Sequence, residues 1–315
     1  MSKNILIVDQ VHESLPTHLT EKGFVCEINK NIGYQDFIDL PDDYVGLIIR
    51  SRFQVDKEII NSKKSLRFIV RIGSGMENID LDYAGEHGIS CIHTPEGNAN
   101  AVAEHCLGLL LGAIRNIPVS NEEVRQGQWL REKNKGCELN SRTYGIIGYG
   151  HTGKAFAKIL HQFGCKIYVY DKFNIGFNDD FIEEVPLDLL LEKCDVISLH
   201  INYILENKYF INDKLIKKIL HPFILINSSR GKTVKTKDII PYLKSGHMQY
   251  ACLDVLEFEN VRLQNSAMEE WEPEMKELAS LENVILTPHI GGQTIDAEKR
   301  HAQVAFQKIC NSLEI

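Results

Sequence analysis

The sequence has no long uninterrupted apolar stretch. Its most apolar segment, Cys106 to Ile114, is far shorter than the ~20 residues that a helix needs to cross a bilayer. The N-terminal segment, Lys3 to Asp9, also has no cleavable signal pattern. These absences count against a membrane-spanning or secreted protein and predict a cytoplasmic one.

Cysteine pairs at metal-binding or redox spacing are absent as well. The eight cysteines are scattered along the chain, and several lie inside apolar segments, such as Tyr250-Ala251-Cys252-Leu253. Isolated cysteines in apolar surroundings are typical of reduced core residues. We therefore expect neither disulfides nor a metal site.

The chain carries no excess of positive charge. Its 35 Lys and Arg residues are outnumbered by 43 Asp and Glu residues, which gives a formal net charge of −8. Charge of this sign excludes a general attraction to nucleic acid or anionic membranes, but local basic clusters could still bind small anions. With 315 residues, 43% of them hydrophobic, the chain has the size and composition of about two globular domains.

Short apolar runs recur along the whole sequence, separated by segments with helical periodicity. Several are unbroken blocks of Ile, Val and Leu, as expected of strands that helices cover on both faces. Alternation of this kind predicts βαβ units, parallel sheets and an α/β fold. The ten runs are Ile5–Val8, Val45–Ile49, Phe68–Ile72, Ser90–His93, Tyr144–Ile147, Lys166–Tyr170, Val196–Leu199, Phe223–Ile226, Tyr250–Val255 and Val284–Leu286.

Ten strands are many for a single sheet. A long helical pattern from Ala99 to Ile114, closed by Pro118, separates the first group of strands from the second. We therefore expect two doubly wound parallel-sheet domains joined by a helix, and a last amphipathic helix from about Ile295 to Leu313. The acidic stretch from Glu257 to Leu281 is interpreted as a solvated surface excursion, with Glu259 as the exception.

A glycine-rich turn, Gly148-Tyr149-Gly150-His151-Thr152-Gly153, lies between an apolar run and a predicted helix. Its glycines permit a tight turn, the approach of a pyrophosphate and close packing of helix on strand, and the helix N-terminus offers N–H groups to the phosphates. The next run ends at Asp171, 18 residues after Gly153, where a carboxylate binds a ribose 2′-hydroxyl and repels a 2′-phosphate. The pattern predicts NAD as cofactor, while Lys172 leaves the strictness of the preference over NADP open.

Three polar segments follow later apolar runs, where open α/β sheets bind their ligands. They are Asn227–Gly231, Leu253–Glu259 and Thr287–Gly292. In their order these motifs resemble the D-isomer-specific 2-hydroxyacid dehydrogenase family, and within it the sequence looks most like the D-3-phosphoglycerate dehydrogenases. The resemblance covers nearly the whole chain, since further segments match: Thr94–Asn98, Ala101–Glu104 and Gly127–Trp129.

The resemblance implies roles for the polar side chains. Arg230 would hold the substrate carboxylate with its planar guanidinium, His289 would exchange the hydroxyl proton, and Glu259 would orient and tune His289. The residues implied for the cofactor are Gly148, Gly150, His151, Thr152, Gly153, Asp171, His200, Ser228, Ser229, Asp254, Gly291 and Gly292. For Asp254 a role as a strand-end cap stays open. The resemblance also implies a flavodoxin-like substrate-binding domain, residues 1–95 and 288–315, into which an NAD-binding Rossmann domain, residues 96–287, is inserted.

Arginines end two predicted strands of the first domain. Arg50 and Arg52 follow the run Val45–Ile49, where positions i and i+2 would share one face of a strand, and Arg71 lies near the end of another run. In a chain of net charge −8, three such arginines predict a pocket for an anion more negative than one carboxylate, such as a phosphate. The residues implied for the substrate are Arg50, Arg52, Arg71, Ser74, Gly75 and Asn98. An alternative in which Arg52 points to water stays open.

Several interpretations of function remain open. One is oxidation of D-3-phosphoglycerate in serine biosynthesis, and another is reduction of hydroxypyruvate, glyoxylate or another D-2-keto acid. A third, from a different class, is a non-catalytic NAD(H)-sensing scaffold. The sequence departs from the family pattern at Ile201–Asn207, and the C-terminal regulatory domain of many phosphoglycerate dehydrogenases is not expected. The arm from Ala99 to Arg131, with Trp129, resembles the family's dimer contact and predicts a homodimer.

Overall fold

A computed structural model describes residues 3–177, 179–259 and 270–314. The chain divides into two compact units. The first unit consists of Met1–Ala99 and Gln293–Ile315, and the second of Asn100–Gly292. The divisions thus fall four and five residues after the predicted domain boundaries at 95 and 287.

The first unit is a doubly wound α/β layer structure. Its strands are β1 Asn4–Ile7, β2 Val25–Ile28, β3 Tyr44–Ile49, β4 Phe68–Arg71 and β5 Ser90–His93. Its helices are α1 Ser14–Glu21, α2 Tyr34–Asp39, α3 Lys57–Ser62, α4 Leu81–Glu86 and α12 Ile295–Leu313. In the described residues the sheet has the order β2-β1-β3-β4-β5, with every pair parallel. This is the strand order of flavodoxin-like domains.

Alternation along the central strands builds the two cores of this unit. Successive side chains of a strand point to opposite faces, so Leu6 packs in one apolar cluster while Ile5 and Ile7 pack in the other. Helices α2, α3 and α4 cover the first face, and helices α1 and α12 cover the second. Burial on both faces explains why these strands are unbroken apolar runs.

The second unit repeats this architecture with a larger sheet. Its strands are β6 Thr143–Ile147, β7 Lys166–Tyr170, β8 Glu183–Glu184, β9 Val196–Leu199, β10 Phe223–Asn227, β11 Met248–Leu253 and β12 Val284–Leu286. Its helices are α5 Ala99–Ile114, α6 Ile117–Arg125, α7 His151–Gln162, α8 Leu187–Lys193, α9 Asp213–Ile216, α10 Thr236–Ser245 and α11 Pro273–Ala279. Among the described residues the order is β12-β11-β10-β9-β6-β7-β8, the Rossmann arrangement with one added strand.

Two parallel-sheet α/β units confirm the predicted fold class, and helix α12 spans the predicted residues. Helix α5 differs from its expected role as a connector, because Cys106, Leu110 and neighbouring residues are buried in the core of the second unit. Pro118 does not close α5 but lies in the first turn of α6, after a break at which Asn116 has φ +52°.

No single helix in residues 3–177, 179–259 and 270–314 is long and apolar enough to cross a membrane, although α5 and α6, bent by 58° at their junction, reach that length together.

Two further expectations need correction. The eight cysteines are unpaired, but Cys137 is exposed and so is not a core residue. The acidic stretch after Glu257 is not wholly a surface excursion, because Met275 and Leu278 of helix α11 are buried in the core of the second unit. Its middle part, residues 260–269, lies outside the described residues.

Candidate active site

Three neighbouring strands of the second unit end at the same edge of its sheet. Strands β10, β11 and β12 are adjacent and parallel, so their carboxyl ends meet at that edge. Arg230 follows β10, Glu259 follows β11 and His289 follows β12. The sheet topology therefore places the three predicted catalytic residues after adjacent strand ends.

A tight turn holds Arg230 after β10. Its carbonyl oxygen accepts a hydrogen bond of 2.6 Å from the hydroxyl of Thr233. The next residue, Gly231, packs so closely that a Cβ there would come within 1.9 Å of the Leu256 carbonyl oxygen. A glycine is needed at this position because no side chain fits. The turn with Arg230 is thus packed directly against the backbone that leads to Glu259.

Glu259 and His289 are close together. Oε1 of Glu259 lies 3.3 Å from Nδ1 of His289. Among the described residues this buried nitrogen has no partner in hydrogen-bond geometry, so the pair is at ion-pair distance without being aligned. Catalytic contacts often align only when substrate binds. A turn fixes the glutamate, whose N–H donates to the Leu256 carbonyl at 3.2 Å.

The turn that carries His289 is strained. His289 has φ +57°, in the left-handed region that residues other than glycine rarely adopt. Its N–H donates to the carbonyl oxygens of Asp254, at 2.8 Å, and Thr287, at 3.0 Å. Backbone strain of this kind persists only where the surroundings hold it, and it is concentrated at functional sites.

The glycine-rich turn fits a dinucleotide. A Cβ on Gly148, which has φ +95°, would come within 2.5 Å of the His200 carbonyl oxygen, and one on Gly153 within 2.1 Å of the Gly148 carbonyl oxygen. The fold itself therefore requires these two glycines. Gly150 is different, because a Cβ there would meet nothing within 4 Å. The space beside it adjoins the first turn of α7, with His151 and Thr152, where N–H groups can bind a pyrophosphate.

Asp171 directly follows β7. Three backbone N–H groups donate to its carboxylate: Tyr149 at 2.7 Å, Phe173 at 2.8 Å and Asn174 at 2.9 Å. Burial alone would raise the pKa of Asp171, but these hydrogen bonds hold it below its ordinary value. The carboxylate is therefore ionised at neutral pH and keeps acceptor capacity for a ribose hydroxyl.

Other residues implied for the cofactor have structural partners. The Ser229 hydroxyl donates to the Leu199 carbonyl at 2.7 Å and accepts from the Ile201 N–H at 3.1 Å, which ties the end of β10 to the end of β9. Ser228 accepts a hydrogen bond of 3.1 Å from Cys106. Burial lowers the pKa of His200 to about 3, so its ring is neutral. Their contacts to NAD stay predictions.

A loop with two of the predicted substrate arginines follows β3. This strand ends at Ile49, so Arg50 and Arg52 lie beyond it, and the expected shared strand face is wrong. Asp9 holds the loop, since its Oδ2 accepts the N–H groups of Arg50 at 2.6 Å and Arg52 at 3.2 Å. The Arg52 side chain lies 3.4 Å from Oδ1 of the same carboxylate. Arg52 is therefore paired with Asp9 instead of pointing to water.

The other predicted substrate residues lie at the ends of strands in the first unit. Arg71 is the last residue of β4. The Ser74 hydroxyl donates to the side-chain oxygen of Asn98 at 2.9 Å, and Gly75 is the next residue in the same loop. Ser74 and Asn98 are thus brought together, although they are far apart in sequence.

Two residues of helix α12 were missed by sequence reasoning. Buried His301 has its Nδ1 2.7 Å from the hydroxyl of Thr94. The pKa of His301 is lowered to about 4, first by burial and then by the positive charges of Arg50, Arg71 and Arg300. The charges of three guanidiniums therefore act on one buried side chain. The second missed residue is Arg300, whose Nε donates to the Gly97 carbonyl oxygen at 3.1 Å; the sequence predicted the helix but gave no sign of this contact.

The Rossmann strand order, the glycine-rich turn and the Arg, Glu and His residues at one sheet edge together define a nucleotide-dependent dehydrogenase. The model of the D-isomer specific 2-hydroxyacid dehydrogenase family, NAD binding domain, matches residues 107–291, more than half of the chain. The chain belongs to the D-isomer specific 2-hydroxyacid dehydrogenase family, and its cofactor is NAD.

Curated relatives and solved structures agree on the family. The chain is 35% identical over 269 residues to a hydroxypyruvate reductase of Thermotoga maritima, covering 85% of each chain. It is 30% identical over 314 residues to the D-3-phosphoglycerate dehydrogenase of Archaeoglobus fulgidus, covering 98% of this chain but only 56% of that enzyme. The chain thus spans about half the length of the phosphoglycerate dehydrogenases it matches. A glyoxylate reductase structure from Paecilomyes thermophila, 26% identical, superimposes with a TM-score of 0.86 over 99% of this chain and 96% of that one.

Proposed function

We propose that this chain oxidises D-3-phosphoglycerate with NAD to 3-phosphohydroxypyruvate, and reduces that ketone in the reverse direction. The observation that carries the proposal is that the charges of Arg50, Arg71 and Arg300 all act on one buried side chain, His301, and lower its pKa together with burial. In a protein of net charge −8, three guanidiniums whose charges act on one buried side chain favour a ligand more negative than a single carboxylate. A phosphorylated hydroxy acid is such a ligand.

The residues of the second unit support acid–base chemistry on a hydroxy acid. Bound NAD supplies the acceptor for the hydride that leaves the substrate carbon. His289 takes the hydroxyl proton on Nε2, because Nδ1 faces Glu259 at 3.3 Å, and that carboxylate stabilises the imidazolium that forms. Arg230 pairs with the substrate carboxylate through its planar guanidinium. In ketone reduction His289 returns the proton.

The two units have separate tasks in this proposal. The first unit, Met1–Ala99 and Gln293–Ile315, binds the hydroxy acid through Arg50, Arg71 and the Ser74 loop. The second unit, Asn100–Gly292, binds NAD and carries His289. The reaction would be the first step in the synthesis of serine from phosphoglycerate. We place it in the cytoplasm, because the eight cysteines are unpaired and thiols stay reduced in that compartment.

One observation favours a second candidate, the reduction of an unphosphorylated ketone such as hydroxypyruvate or glyoxylate. Arg52, one of the three arginines predicted for the phosphate, is paired with Asp9. A relative that shares 85% of its length with this chain is a hydroxypyruvate reductase. Under this alternative the remaining arginines stabilise the fold of the first unit instead of binding a phosphate.

Substitution of the arginines separates the two candidates. Arg50→Ala and Arg71→Ala each remove charge-assisted hydrogen bonds to a phosphate, so we expect kcat/KM for 3-phosphohydroxypyruvate to fall about 10- to 100-fold. For hydroxypyruvate the change should stay within about 3-fold. Arg67→Ala is the matched control, because Arg67 is exposed and lies just before β4. Equal losses with both ketones would reject the phosphate site.

A further inference from the structure

A buried hydrogen-bond network lies beneath the turn that carries His289. At its centre is Asp254, the first residue after β11, whose side chain is only 2% exposed. Its Oδ1 accepts the Thr287 hydroxyl at 2.6 Å and the Ile290 N–H at 2.9 Å, and its Oδ2 accepts the Gly291 N–H at 2.8 Å. The carboxylate therefore binds the chain on both sides of His289.

His105 of helix α5 reaches the same carboxylate. Its Nε2 lies 3.2 Å from Oδ1 of Asp254 and 3.0 Å from the hydroxyl oxygen of Thr287. The hydroxyl proton is used in the short bond to Asp254, and an ionised carboxylate has no proton to donate. Nε2 must therefore carry a proton and donate it to these two oxygens. His105 completes the set of donors around a buried charge.

We propose that His105 is a positioning residue of the acid–base site. By donating to Asp254 and Thr287 it keeps the strained turn Thr287–Gly291 in one conformation, and so holds His289 beside Glu259. This inference rests on the proposed role of His289 in proton transfer. In the described residues His105 acts on His289 only through Asp254 and the turn, since its hydrogen bonds go to Asp254 and Thr287.

The energetics of the turn support this role. A left-handed residue other than glycine persists only when its surroundings over-determine it, and here several donors to one carboxylate do so. Burial alone would raise the pKa of Asp254, but the hydrogen bonds from His105, Thr287 and two backbone N–H groups hold it below its ordinary value. Cys106, next to His105 in the chain, is another titratable group on which the charge of Asp254 acts; burial raises its pKa to about 12, so this thiol is neutral.

The test compares variants that remove or keep the donor. His105→Leu removes it, and His105→Gln keeps an N–H in the place of Nε2. Thr287→Val removes the hydroxyl that lies between His105 and Asp254. It also removes a donor to the Asp254 carboxylate, so it tests the same network if His105→Leu does not fold. The matched control is His247→Leu, because half-buried His247 donates a hydrogen bond of 2.9 Å from Nε2 to the Ile219 carbonyl oxygen in the same unit, outside the network.

The primary readout does not need activity. The amide proton of Gly291 is bonded to Asp254, so its NMR shift reports the titration of that carboxylate. In His105→Leu and Thr287→Val we expect the titration midpoint to rise by about one pH unit, and in His105→Gln to stay near the wild-type value. The control should also keep the wild-type midpoint.

The kinetic readout tests the link to His289. In His105→Leu, kcat for ketone reduction should fall about tenfold and its acid limb should move to higher pH, while the NADH dissociation constant stays within about twofold. His105→Gln should recover most of the rate.

Two results would overturn the positioning role: an unchanged Gly291 titration in both loss variants, or an equal loss of rate in His105→Leu and His105→Gln. A wild-type protein that reduces no keto acid would instead refute the proposed function, and the Gly291 titration would still decide whether His105 controls the turn.

Discussion

Among single residues, buried His301 couples protonation to stability. Its pKa is about 4 in the folded chain, whereas an exposed histidine titrates near ~6.5. Below pH ~6.5 the histidine of the unfolded chain binds a proton, whereas buried His301 of the folded chain does not. The free energy of unfolding is therefore highest above pH ~6.5 and falls as the pH approaches the folded pKa of about 4. We expect His301 to cost the first unit ~2 kcal/mol of unfolding free energy between pH 7 and pH 5.

Urea unfolding at the two pH values measures this loss. His301→Asn is the informative variant, because its amide oxygen can still accept a hydrogen bond from Thr94 but does not titrate. The loss in the variant should be smaller than in the wild type by the amount expected for His301. Equal losses in both proteins would show that this histidine is not the group responsible.

The sequence motifs predicted which residues follow strand ends, but they did not predict every side chain with which those residues pair. The proximity of Glu259 and His289 could be predicted because both follow strands in one sheet. The pairing of Arg52 with Asp9 could not, since it depends on β1 and β3 being neighbours, and that order is set by the packing of the whole unit. His105 was missed for the same reason, because its partners are more than a hundred residues away in sequence.

At the scale of one element, the glycines of the glycine-rich turn have different roles: one is needed for the packing of the fold and another leaves space for the cofactor. A Cβ on Gly153 would lie 2.1 Å from the Gly148 carbonyl, whereas one on Gly150 meets nothing within 4 Å. We therefore expect Gly153→Ala to lower the melting temperature by several degrees. Gly150→Ala should leave it unchanged but weaken NADH binding at least about tenfold, because the pyrophosphate needs that space. Calorimetry and NADH fluorescence titration measure the two effects.

Wild-type NADH affinity in Gly150→Ala would contradict the placement of the pyrophosphate. A loss of stability in this variant equal to that in Gly153→Ala would show that the fold requires both glycines.

The interior strands and two edge strands, β5 and β12, were predicted from the sequence, but the other two edge strands were not. β2 and β8 are absent from the predicted set, and they lie at the edges of their sheets. Val25 and Ile28 of β2 are 61% and 51% exposed, and β8 consists of Glu183 and Glu184. An edge strand needs no continuous apolar run, because part of it faces solvent. The sequences of β2 and β8 therefore lack the signal that marks the predicted strands.

At the scale of the whole molecule, we propose a homodimer formed through the arm Ala99 to Arg131, whose last residues follow α6. Trp129 is 76% exposed and Leu130 is 41% exposed, and large apolar side chains grouped on a surface are typical of interaction sites. Sedimentation equilibrium should give twice the chain mass, and Trp129→Glu should give the mass of one chain. Leu220→Glu, at a residue that is 86% exposed elsewhere in the second unit, should remain dimeric. A monomeric wild-type protein would refute the proposal.

The central claim is that the whole chain transfers hydride between NAD and a phosphorylated D-2-hydroxy acid, with His289 as the proton donor and acceptor. NADH oxidation with 3-phosphohydroxypyruvate and with hydroxypyruvate, measured side by side with His289→Ala as the blank, tests it most directly. We expect kcat/KM to be at least about tenfold higher for the phosphorylated ketone, and both activities to be lost in the variant. A preference for hydroxypyruvate would contradict the substrate, and activity with neither ketone would contradict the enzymatic role and favour an NAD(H) sensor.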